Sequence, residues 1–350
     1  MTPIKLGMIG FGMIASSAHF PAYLSFPNKV RVKGVCDKDY SLVEDASQRY
    51  GVKAYADYDE LIQNSEIDAV DICLPPKLHA SVALKAIKAG KHVFVEKPFT
   101  LDPSHAKEVI TAARDNHVKL MVGHNMRFLP ALSLAKRLID SGVVGRICLV
   151  RASCVGNEVE RLSNSAQWMT MTSEAGGGVI FDTGIHSFDL FRWLGGAVSS
   201  VFSSTTNILE NLSGKIEDNA VGAIRYANGA VGTFSFSNTT ACPWIQQLEV
   251  YGTKGAVQVD TSSQHPLRVL SAKTEHGSSG ELGLLEEPFI PHSVTDWVSD
   301  SIRRELEHFA DCILNDRPPA VSGEDAMIAV KLVKAAYESA KSGKEICMAE

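Results

Sequence analysis

A short glycine loop near the start of the chain constrains its fold more than any other feature. The loop, Gly10-Phe11-Gly12-Met13-Ile14-Ala15, follows an apolar run from Ile4 to Ile9 and precedes a helical pattern. This is the G-x-G-x-x-A form of the turn with which parallel α/β folds hold a dinucleotide pyrophosphate against a helix N-terminus. The loop predicts a dinucleotide-binding domain, although such a hexapeptide alone also fits an ordinary glycine turn.

An acidic residue downstream strengthens this interpretation. Asp37 stands at the end of the second predicted strand, Val30–Cys36. A carboxylate at this place accepts hydrogen bonds from the adenosine ribose and repels a 2′-phosphate. The sequence therefore predicts NAD as the cofactor, with NADP possible because Lys38 follows directly and softens the preference. The alternative for Asp37 is a solvated charge at a strand end.

The first 124 residues alternate between strand and helix patterns, which is typical of a parallel sheet with helices on both faces. Gly51 and Gly90 each follow a helical pattern where a left-handed C-cap is expected, and Asp102-Pro103 is a helix start signal. The predicted strands are 4–9, 30–36, 69–74, 92–95 and 119–122, and the predicted helices are 41–50, 78–89 and 103–117. We therefore expect an N-terminal doubly wound (Rossmann) domain over residues 1–124.

The pattern changes after about residue 145. Asn228-Gly229 predicts a hairpin between strands 218–226 and 230–237, and Thr253-Lys254-Gly255 predicts a turn between strands 247–251 and 256–259. Helices are predicted at 299–315 and 323–342, with an irregular segment at 271–295 before them. Residues 125–350 therefore read as an α+β domain with a large, mostly antiparallel sheet.

Composition narrows the possible partners. The chain has 350 residues, a net charge of −6 and 45% hydrophobic residues, so we expect two globular domains and no nucleic-acid partner. Its seven cysteines are scattered without C-x-x-C spacing, and the histidines show no metal-ligand spacing, so we expect free thiols, no metal and a cytoplasmic location. No run of about 18 apolar residues predicts a membrane span, and residues 1–8 do not read as a signal peptide.

Further motifs carry a family resemblance. The segment His92-Val93-Phe94-Val95-Glu96-Lys97-Pro98, together with the glycine loop, resembles the Gfo/Idh/MocA family of glucose–fructose oxidoreductase and inositol dehydrogenase. The other matching segments are Pro75-Pro76 with His79, residues 123–128, Gly176-Gly177-Gly178, the D-x-G-x-H motif of Asp182, Gly184 and His186, and the C-terminal helices around Pro318-Pro319. The resemblance covers nearly the whole chain and implies a cis peptide bond between Lys97 and Pro98.

The resemblance also implies a catalytic group of Lys97, Asp182 and His186. Lys97 follows a strand at the carboxyl edge of the sheet, where doubly wound folds bind ligands. Asp182 and His186 are four residues apart on a helix predicted over 182–194, so they share a face. We expect His186 to take the hydroxyl proton, Asp182 to stabilise the imidazolium and Lys97 to polarise the oxygen. A cationic nicotinamide disfavours the charged form of Lys97, which then shares or takes the base role.

The resemblance further implies that residues 125–350 form a substrate-binding and oligomerisation domain, and it predicts contacts to the cofactor and to the substrate. Cofactor contacts are expected from Gly10, Phe11, Gly12, Met13, Ile14, Asp37, Lys38, Leu74, Pro75, His79, Glu96, Lys97 and Asn125, and substrate contacts from Lys97, Asn125, Arg127, Trp168, Asp182 and His186. Alternatives remain open for two of them: a salt bridge across the domain boundary for Arg127 and a plain core position for Trp168. His19 is interpreted as structural, and Glu217-Asp218 is assigned no chemistry.

Together these features imply an NAD(P)-dependent dehydrogenase that moves a hydride between nicotinamide and a hydroxyl-bearing carbon of a sugar, inositol or related polyol. Two alternatives stay open: a dehydrogenase or reductase of a dihydrodiol, imine or tetrapyrrole, and a dinucleotide-sensing regulator without chemistry. Both faces of the strand 230–237 are nearly uncharged, which fits burial on both sides. We expect a homodimer or homotetramer that pairs through this sheet, as relatives do.

Overall fold

The computed structural model describes residues 2–164, 167–209, 216–263, 266–272, 282–284 and 294–348. The chain divides into two compact units. Unit 1 comprises Met1–Asn125 and Val298–Val330, and unit 2 comprises Met126–Trp297 and Lys331–Glu350. The predicted single boundary after residue 124 therefore differs from the structure, which adds a C-terminal segment to unit 1.

Unit 1 contains a six-stranded parallel sheet in the order β3-β2-β1-β4-β5-β6. The strands are β1 (Ile4–Ile9), β2 (Val30–Cys36), β3 (Lys53–Tyr55), β4 (Ala69–Ile72), β5 (His92–Glu96) and β6 (Leu120–Gly123), and the helices are α1 (Phe20–Leu24), α2 (Tyr40–Tyr50), α3 (Tyr58–Gln63), α4 (Pro76–Lys88) and α5 (Pro103–Asp115). The predicted doubly wound fold is confirmed, whereas β3 and α3 lie where no element was expected.

The helices of this unit begin at side-chain caps. Asp39, Asp57 and Asp102 each accept a hydrogen bond from a backbone N–H of the first turn of α2, α3 and α5. Gly51 ends α2 in the left-handed conformation that glycine adopts without strain. The strand order reverses between β1 and β4, and folds of this kind bind ligands at the carboxyl ends of the strands beside that reversal.

Unit 2 contains a nine-stranded sheet within the described residues, in the order β14-β13-β12-β11-β7-β10-β9-β8-β15. β7 and β10 are parallel, and the other neighbours are antiparallel. The strands are β7 (Ile147–Val155), β8 (Val198–Thr206), β9 (Asn219–Tyr226), β10 (Val231–Ser237), β11 (Ile245–Gly252), β12 (Gly255–Asp260), β13 (Leu267–Ala272), β14 (Leu282–Leu284) and β15 (Ile346–Cys347), and the helices are α6 (Pro130–Asp140), α7 (Val159–Asn164), α8 (Thr172–Ala175) and α9 (Ile185–Gly195). The predicted α+β architecture is confirmed.

Two helices follow this sheet: α10 (Val294–Leu314) and α11 (Gly323–Ser342). Most of α10 packs within unit 1. Its Phe309 ring lies 5.7 Å from the Phe94 ring of β5, and Lys29 donates hydrogen bonds to Glu307 and Asp311 at 2.8 and 3.0 Å. The prediction of an irregular segment over 271–295 is wrong at three places. Residues 271–272 end β13, residues 282–284 form β14, and residues 294–295 begin α10. Residues 273–281 and 285–293 of that segment lie outside the described residues.

Among the described residues, the two faces of the unit 2 sheet differ in burial. On one face Phe188 of α9 packs against Phe234 and Phe236 of β10, with ring centroids 5.2 and 6.1 Å away. On the other face Val221 and Val231 are 56% and 44% exposed when the described residues are considered alone. The expected burial of both faces in an oligomer stays a prediction. Among the described residues, no helix combines the length and apolarity that a membrane crossing requires.

Candidate active site

The glycine loop joins β1 to the first helix of unit 1. Gly10 adopts φ +87°, and a Cβ on it would lie 2.5 Å from the carbonyl oxygen of Cys73, so only glycine fits this position. A Cβ on Gly12, in contrast, would meet no described atom within 4 Å. Met13 beside it is 68% exposed, which is unusual for a large apolar side chain in a loop between core elements. This open, glycine-bounded surface fits a dinucleotide pyrophosphate.

The helix after the loop contains a π-helical stretch. Residues 13 and 14 are α-helical, and Ser16 N donates to Gly12 O at 2.9 Å, a bond with the four-residue spacing of an α-helix. Residues Ala15–His19 then form the π-helical stretch, which continues into α1. The loop therefore keeps the strand–turn–helix order that the sequence predicts.

Asp37 is fixed in a position that suits ribose recognition. Its Oδ2 accepts a hydrogen bond from Phe11 N at 2.8 Å, and its Oδ1 accepts one from Asp39 N at 3.0 Å. Each carboxylate oxygen retains a second lone pair. The side chain is half-buried and bonded directly to the glycine loop, so the predicted ribose-binding residue and the predicted phosphate-binding loop form one unit.

We expect an Asp37→Ser substitution to weaken NAD binding by about 10-fold to 100-fold, since each hydrogen bond to a charged group contributes about 1.5–3 kcal/mol. The same change removes the charge that repels a 2′-phosphate, so NADP should bind more tightly than to the unmodified protein. Fluorescence titration with NADH and NADPH measures both affinities. Asp57→Asn, which alters an exposed helix cap in the same unit, serves as the control and should change neither. Equal losses for NADH and NADPH would contradict the assignment.

The Glu-Lys-Pro segment closes β5. The Lys97–Pro98 peptide bond is cis, as expected from the resemblance. Glu96 Oε2 accepts a hydrogen bond from Lys97 N at 3.0 Å. His79 is buried beside this turn, with its ring nitrogens 2.8 and 2.7 Å from the carbonyl oxygens of Pro98 and Leu74. His79 therefore lies between the loops after β4 and β5, and its contact with the dinucleotide stays a prediction.

A buried charged cluster lies behind this segment. His19 Nδ1 is 2.8 Å from Asp71 Oδ2, and His19 Nε2 is 3.2 Å from Glu96 Oε1. Burial opposes the charged imidazole, but the charge and hydrogen bond of the adjacent Asp71 carboxylate raise the pKa of His19 well above its ordinary value. Burial likewise favours the neutral acid of Glu96, yet its contact with His19 and the charge of that ring hold its pKa below the ordinary value. His19, which the sequence analysis interprets as structural, lies on the helix after the glycine loop. Through Asp71 and Glu96 it links that helix to β4 and β5.

His19, Asp71 and Cys73 also bring three ligand-type atoms within 4.8 Å of one another. Spacing in the sequence does not reveal this group, because its members come from two separate segments. Cys73 Sγ donates toward Asp71 Oδ1 at 3.4 Å, and the imidazole contacts Asp71 and Glu96 on its two sides. These contacts account for the arrangement without a metal ion.

Asn125 and Arg127, which follow β6, have side-chain partners in the structure other than the expected ligands. Asn125 Nδ2 donates to Ser301 Oγ of α10 at 2.9 Å, a partner that the sequence does not indicate. Arg127 is 5% exposed and pairs with Asp189 through two hydrogen bonds of 2.7 and 2.5 Å, and its guanidinium lies 5.5 Å from the Trp193 ring. The predicted substrate contact of Arg127 is therefore corrected to a buried ion pair, which lies within unit 2 rather than across the units.

Asp182 and His186, two members of the predicted catalytic group, lie on one helical segment. Residues Ile180–Gly184 form a π-helical turn that continues into α9, so the helix starts earlier than the predicted residue 182. A π turn is wider than an α turn, so a spacing of four residues no longer ensures that Asp182 and His186 are aligned. His186 lies half-buried at the second position of α9.

Arg161 is a site residue that the sequence does not single out. Its Nη2 donates to Asp182 Oδ2 at 2.6 Å, and its Nε bonds to Glu158. Burial opposes its charge, but Asp182 and Glu158 raise the pKa of Arg161 above its ordinary value. The ion pair orients the Asp182 side chain toward Arg161. Trp168, predicted to border the substrate, is half-buried in the 3-10 turn Gln167–Thr170.

Comparison with known proteins agrees with this geometry. Residues 4–124 match the NAD-binding Rossmann fold of the Gfo/Idh/MocA oxidoreductase family, and residues 136–348 match its C-terminal α/β domain. Myo-inositol 2-dehydrogenase of Thermotoga maritima is 27% identical over 351 aligned residues, covering 99% of each chain. The scyllo-inositol 2-dehydrogenase (NAD⁺) of Bacillus subtilis is 30% identical over 308 residues, covering 87% of this chain and 84% of that one.

A solved structure adds a match in three dimensions. Levoglucosan dehydrogenase in complex with NADH superposes with a TM-score of 0.89 at 25% identity, covering 99% of both chains. Two family models together span most of the chain, in the order that the sequence motifs predict. The chain belongs to the Gfo/Idh/MocA family of NAD-binding oxidoreductases.

Proposed function

We propose that this protein oxidises a hydroxyl-bearing carbon of a sugar, inositol or related polyol with NAD. The observation that carries the proposal is that one chain combines an open glycine loop bonded to Asp37 with Lys97, Asp182 and His186 at their motif positions. Relatives named for inositol and levoglucosan dehydrogenation support the substrate class.

When bound, NAD supplies the acceptor for the hydride of the substrate carbon. In the proposed mechanism, Lys97 donates a hydrogen bond to the substrate oxygen and stabilises the negative charge that develops there. His186 takes the hydroxyl proton, a role that suits imidazole because its ordinary pKa of about 6.5 lies near neutral pH. Asp182, oriented by Arg161, stabilises the resulting imidazolium. Asn125 and Trp168 complete the proposed substrate contacts.

The remaining predicted cofactor contacts are retained in this proposal. Phe11, Gly12, Met13 and Ile14 of the glycine loop would hold the pyrophosphate, and Lys38, Leu74, Pro75 and Glu96 would provide further contacts to the dinucleotide. These residues lie at or just after the carboxyl ends of β1, β2, β4 and β5, which share one edge of the sheet.

A substrate panel tests the proposed function. The protein is incubated with NAD and, in separate reactions, with inositols, levoglucosan, aldoses and alditols, and NADH absorbance is followed. Turnover with at least one polyol is expected. Tight NAD binding without turnover on any alcohol or carbonyl compound would instead indicate a dinucleotide-sensing regulator, and turnover only with imines or dihydrodiols would indicate a different substrate class.

We also propose that a second copy of the chain covers the open face of the unit 2 sheet. Val221, Val231 and Phe202 on this face are 56%, 44% and 43% exposed, and large apolar side chains gathered on one exposed face mark association surfaces. Arg151 and Glu249 on the same face form an ion pair of 3.2 Å, so the face carries little net charge. A homodimer, or a homotetramer built from it, buries this surface.

A Val221→Asp substitution should dissociate the proposed dimer, because it places two like charges near one another in an apolar interface. Sedimentation velocity should show the unmodified protein as an oligomer and the variant as a smaller species. Lys254→Asp, at a turn away from this face, is the control and should keep the oligomer. A monomeric unmodified protein, or an unchanged oligomer in the Val221 variant, would contradict the proposal.

All seven cysteines are free thiols, including the exposed Cys148 and Cys347. Free surface thiols persist in a reducing compartment. We therefore propose a cytoplasmic enzyme whose ligand is a small molecule, with neither nucleic acid nor a membrane as partner.

A further inference from the structure

The helical segment that carries Asp182 and His186 is capped by a residue from another part of unit 2. Glu217 accepts hydrogen bonds from three successive backbone N–H groups: Gly178 N to Oε2, Val179 N to the main-chain oxygen and Ile180 N to Oε1, each at 3.0 Å. No side chain of the segment itself caps this end. The first N–H groups of a helix have no partner within it, so Glu217 supplies the cap from outside.

Tyr337 of α11 completes this cap. Its hydroxyl donates to Glu217 Oε1 at 2.6 Å, and its ring stacks on Phe181 with centroids 6.3 Å apart. Burial raises the pKa of Glu217, while the bonds from Tyr337 and the backbone act in the opposite direction. The Glu217 side chain is therefore surrounded by donors that fix its rotamer.

The cap explains two of the three glycines in the Gly176-Gly177-Gly178 run. A Cβ on Gly177 would overlap the Tyr337 hydroxyl, and a Cβ on Gly178 would overlap the main-chain oxygen of Glu217. Gly176 ends α8 at φ +91°. The glycine run therefore lets the chain pass close to Glu217 and Tyr337, which makes the hydrogen bonds of this cap possible.

We propose that Glu217 and Tyr337 are positioning residues for Asp182 and His186. They set the start, and hence the register and axis, of the segment on which both residues lie. This inference rests on the proposed function, in which those two side chains act on the substrate. A displacement of about 1 Å at a reacting group can lower the rate by about 100-fold, so an anchor placed two residues before Asp182 acts on turnover and not only on stability.

Three variants test the proposal. Glu217→Gln keeps the shape of the side chain but turns one acceptor oxygen into an amide donor that opposes a backbone N–H. Tyr337→Phe removes only the hydroxyl and is the milder change if the first variant folds poorly. Asp218→Asn is the matched control, because Asp218 is also a buried carboxylate that accepts backbone hydrogen bonds, from Ile208 and Leu209, but it does not bond to residues 178–180.

Two measurements are made on the full chain. Amide hydrogen exchange, read on peptides that cover residues 177–186, should be at least about tenfold faster in Glu217→Gln and unchanged in Asp218→Asn. With the polyol that the panel identifies, kcat should fall by about 10-fold to 100-fold in Glu217→Gln and less in Tyr337→Phe, while the NADH dissociation constant stays within about twofold. Asp218→Asn should lower Tm without a comparable loss of kcat.

The outcomes separate this inference from the proposed function. Unchanged exchange in Glu217→Gln and Tyr337→Phe would overturn the anchoring itself, whether or not the protein turns over any polyol. Faster exchange with unchanged kcat in an active enzyme would overturn the positioning role. A loss of kcat in Asp218→Asn equal to that in Glu217→Gln would reduce Glu217 to a contributor to stability.

Discussion

Replacing His186 with asparagine should lower kcat by about 100-fold to 10,000-fold, the range that positioned general acid–base groups contribute. Asparagine keeps hydrogen-bonding capacity and approximate size but cannot accept the hydroxyl proton at neutral pH. The NADH dissociation constant should stay within about twofold, because the predicted cofactor contacts lie in unit 1. Initial rates with the polyol substrate and NADH fluorescence titration measure the two quantities.

The pH profile distinguishes a proton-transfer role from a packing role for His186. The unmodified enzyme should lose kcat/KM at acidic pH as its base becomes protonated, and the asparagine variant should lack that limb. His105, an exposed histidine of α5, provides the matched control, since His105→Asn should change neither kcat nor the profile. An unchanged acid limb in His186→Asn would show that another group is the base.

Replacing Lys97 with methionine should lower kcat/KM by about 100-fold to 1,000-fold, as expected for the loss of a donor to a developing oxyanion. Methionine retains the unbranched side-chain length and removes the charge and the donors. Lys88→Met, at an exposed position near the end of α4, is the control and should keep full activity. A change limited to KM would instead indicate that Lys97 only binds the substrate.

The double variant tests whether Lys97 and His186 act on the same oxygen. Residues that act as a unit have non-additive effects, so the combined loss should be smaller than the product of the two single losses. The acid limb of the pH profile in Lys97→Met then identifies the base. If it persists, His186 is the base, and if it disappears, Lys97 takes the proton, as the charge of a bound nicotinamide would favour.

Features of the site that depend on consecutive residues were predictable from the sequence. Gly10 is fixed by its positive φ and by the close approach of the Cys73 carbonyl oxygen, and the cis Lys97–Pro98 bond belongs to a short motif. Asp37 follows β2, so its place at the ligand edge follows from the strand order. Local chemistry and the alternation of elements were sufficient in these cases.

Other features depend on partners that are distant in the sequence and have no local signal. Arg161 precedes Asp182 by a loop and two short helices, and Tyr337 meets Glu217 from the last helix. Arg127 was predicted as a candidate substrate residue because its partner, Asp189 of α9, is distant in the sequence. Only the folded structure brings the two side chains together. The alternation of apolar and polar residues also did not reveal β7 and β8. Serines in both strands and an arginine in β7 interrupt the alternation that marks a strand.

Transfer of deuterium from the substrate carbon to the cofactor is the most direct test of the proposed hydride transfer from a polyol to NAD. The enzyme is incubated with NAD and a polyol, chosen from the panel, that carries deuterium at the oxidised carbon, and the reduced cofactor is analysed by mass spectrometry. We expect the cofactor to gain one deuterium per carbonyl group formed. Reduced cofactor without deuterium, or NAD binding with no product from any polyol, would contradict it.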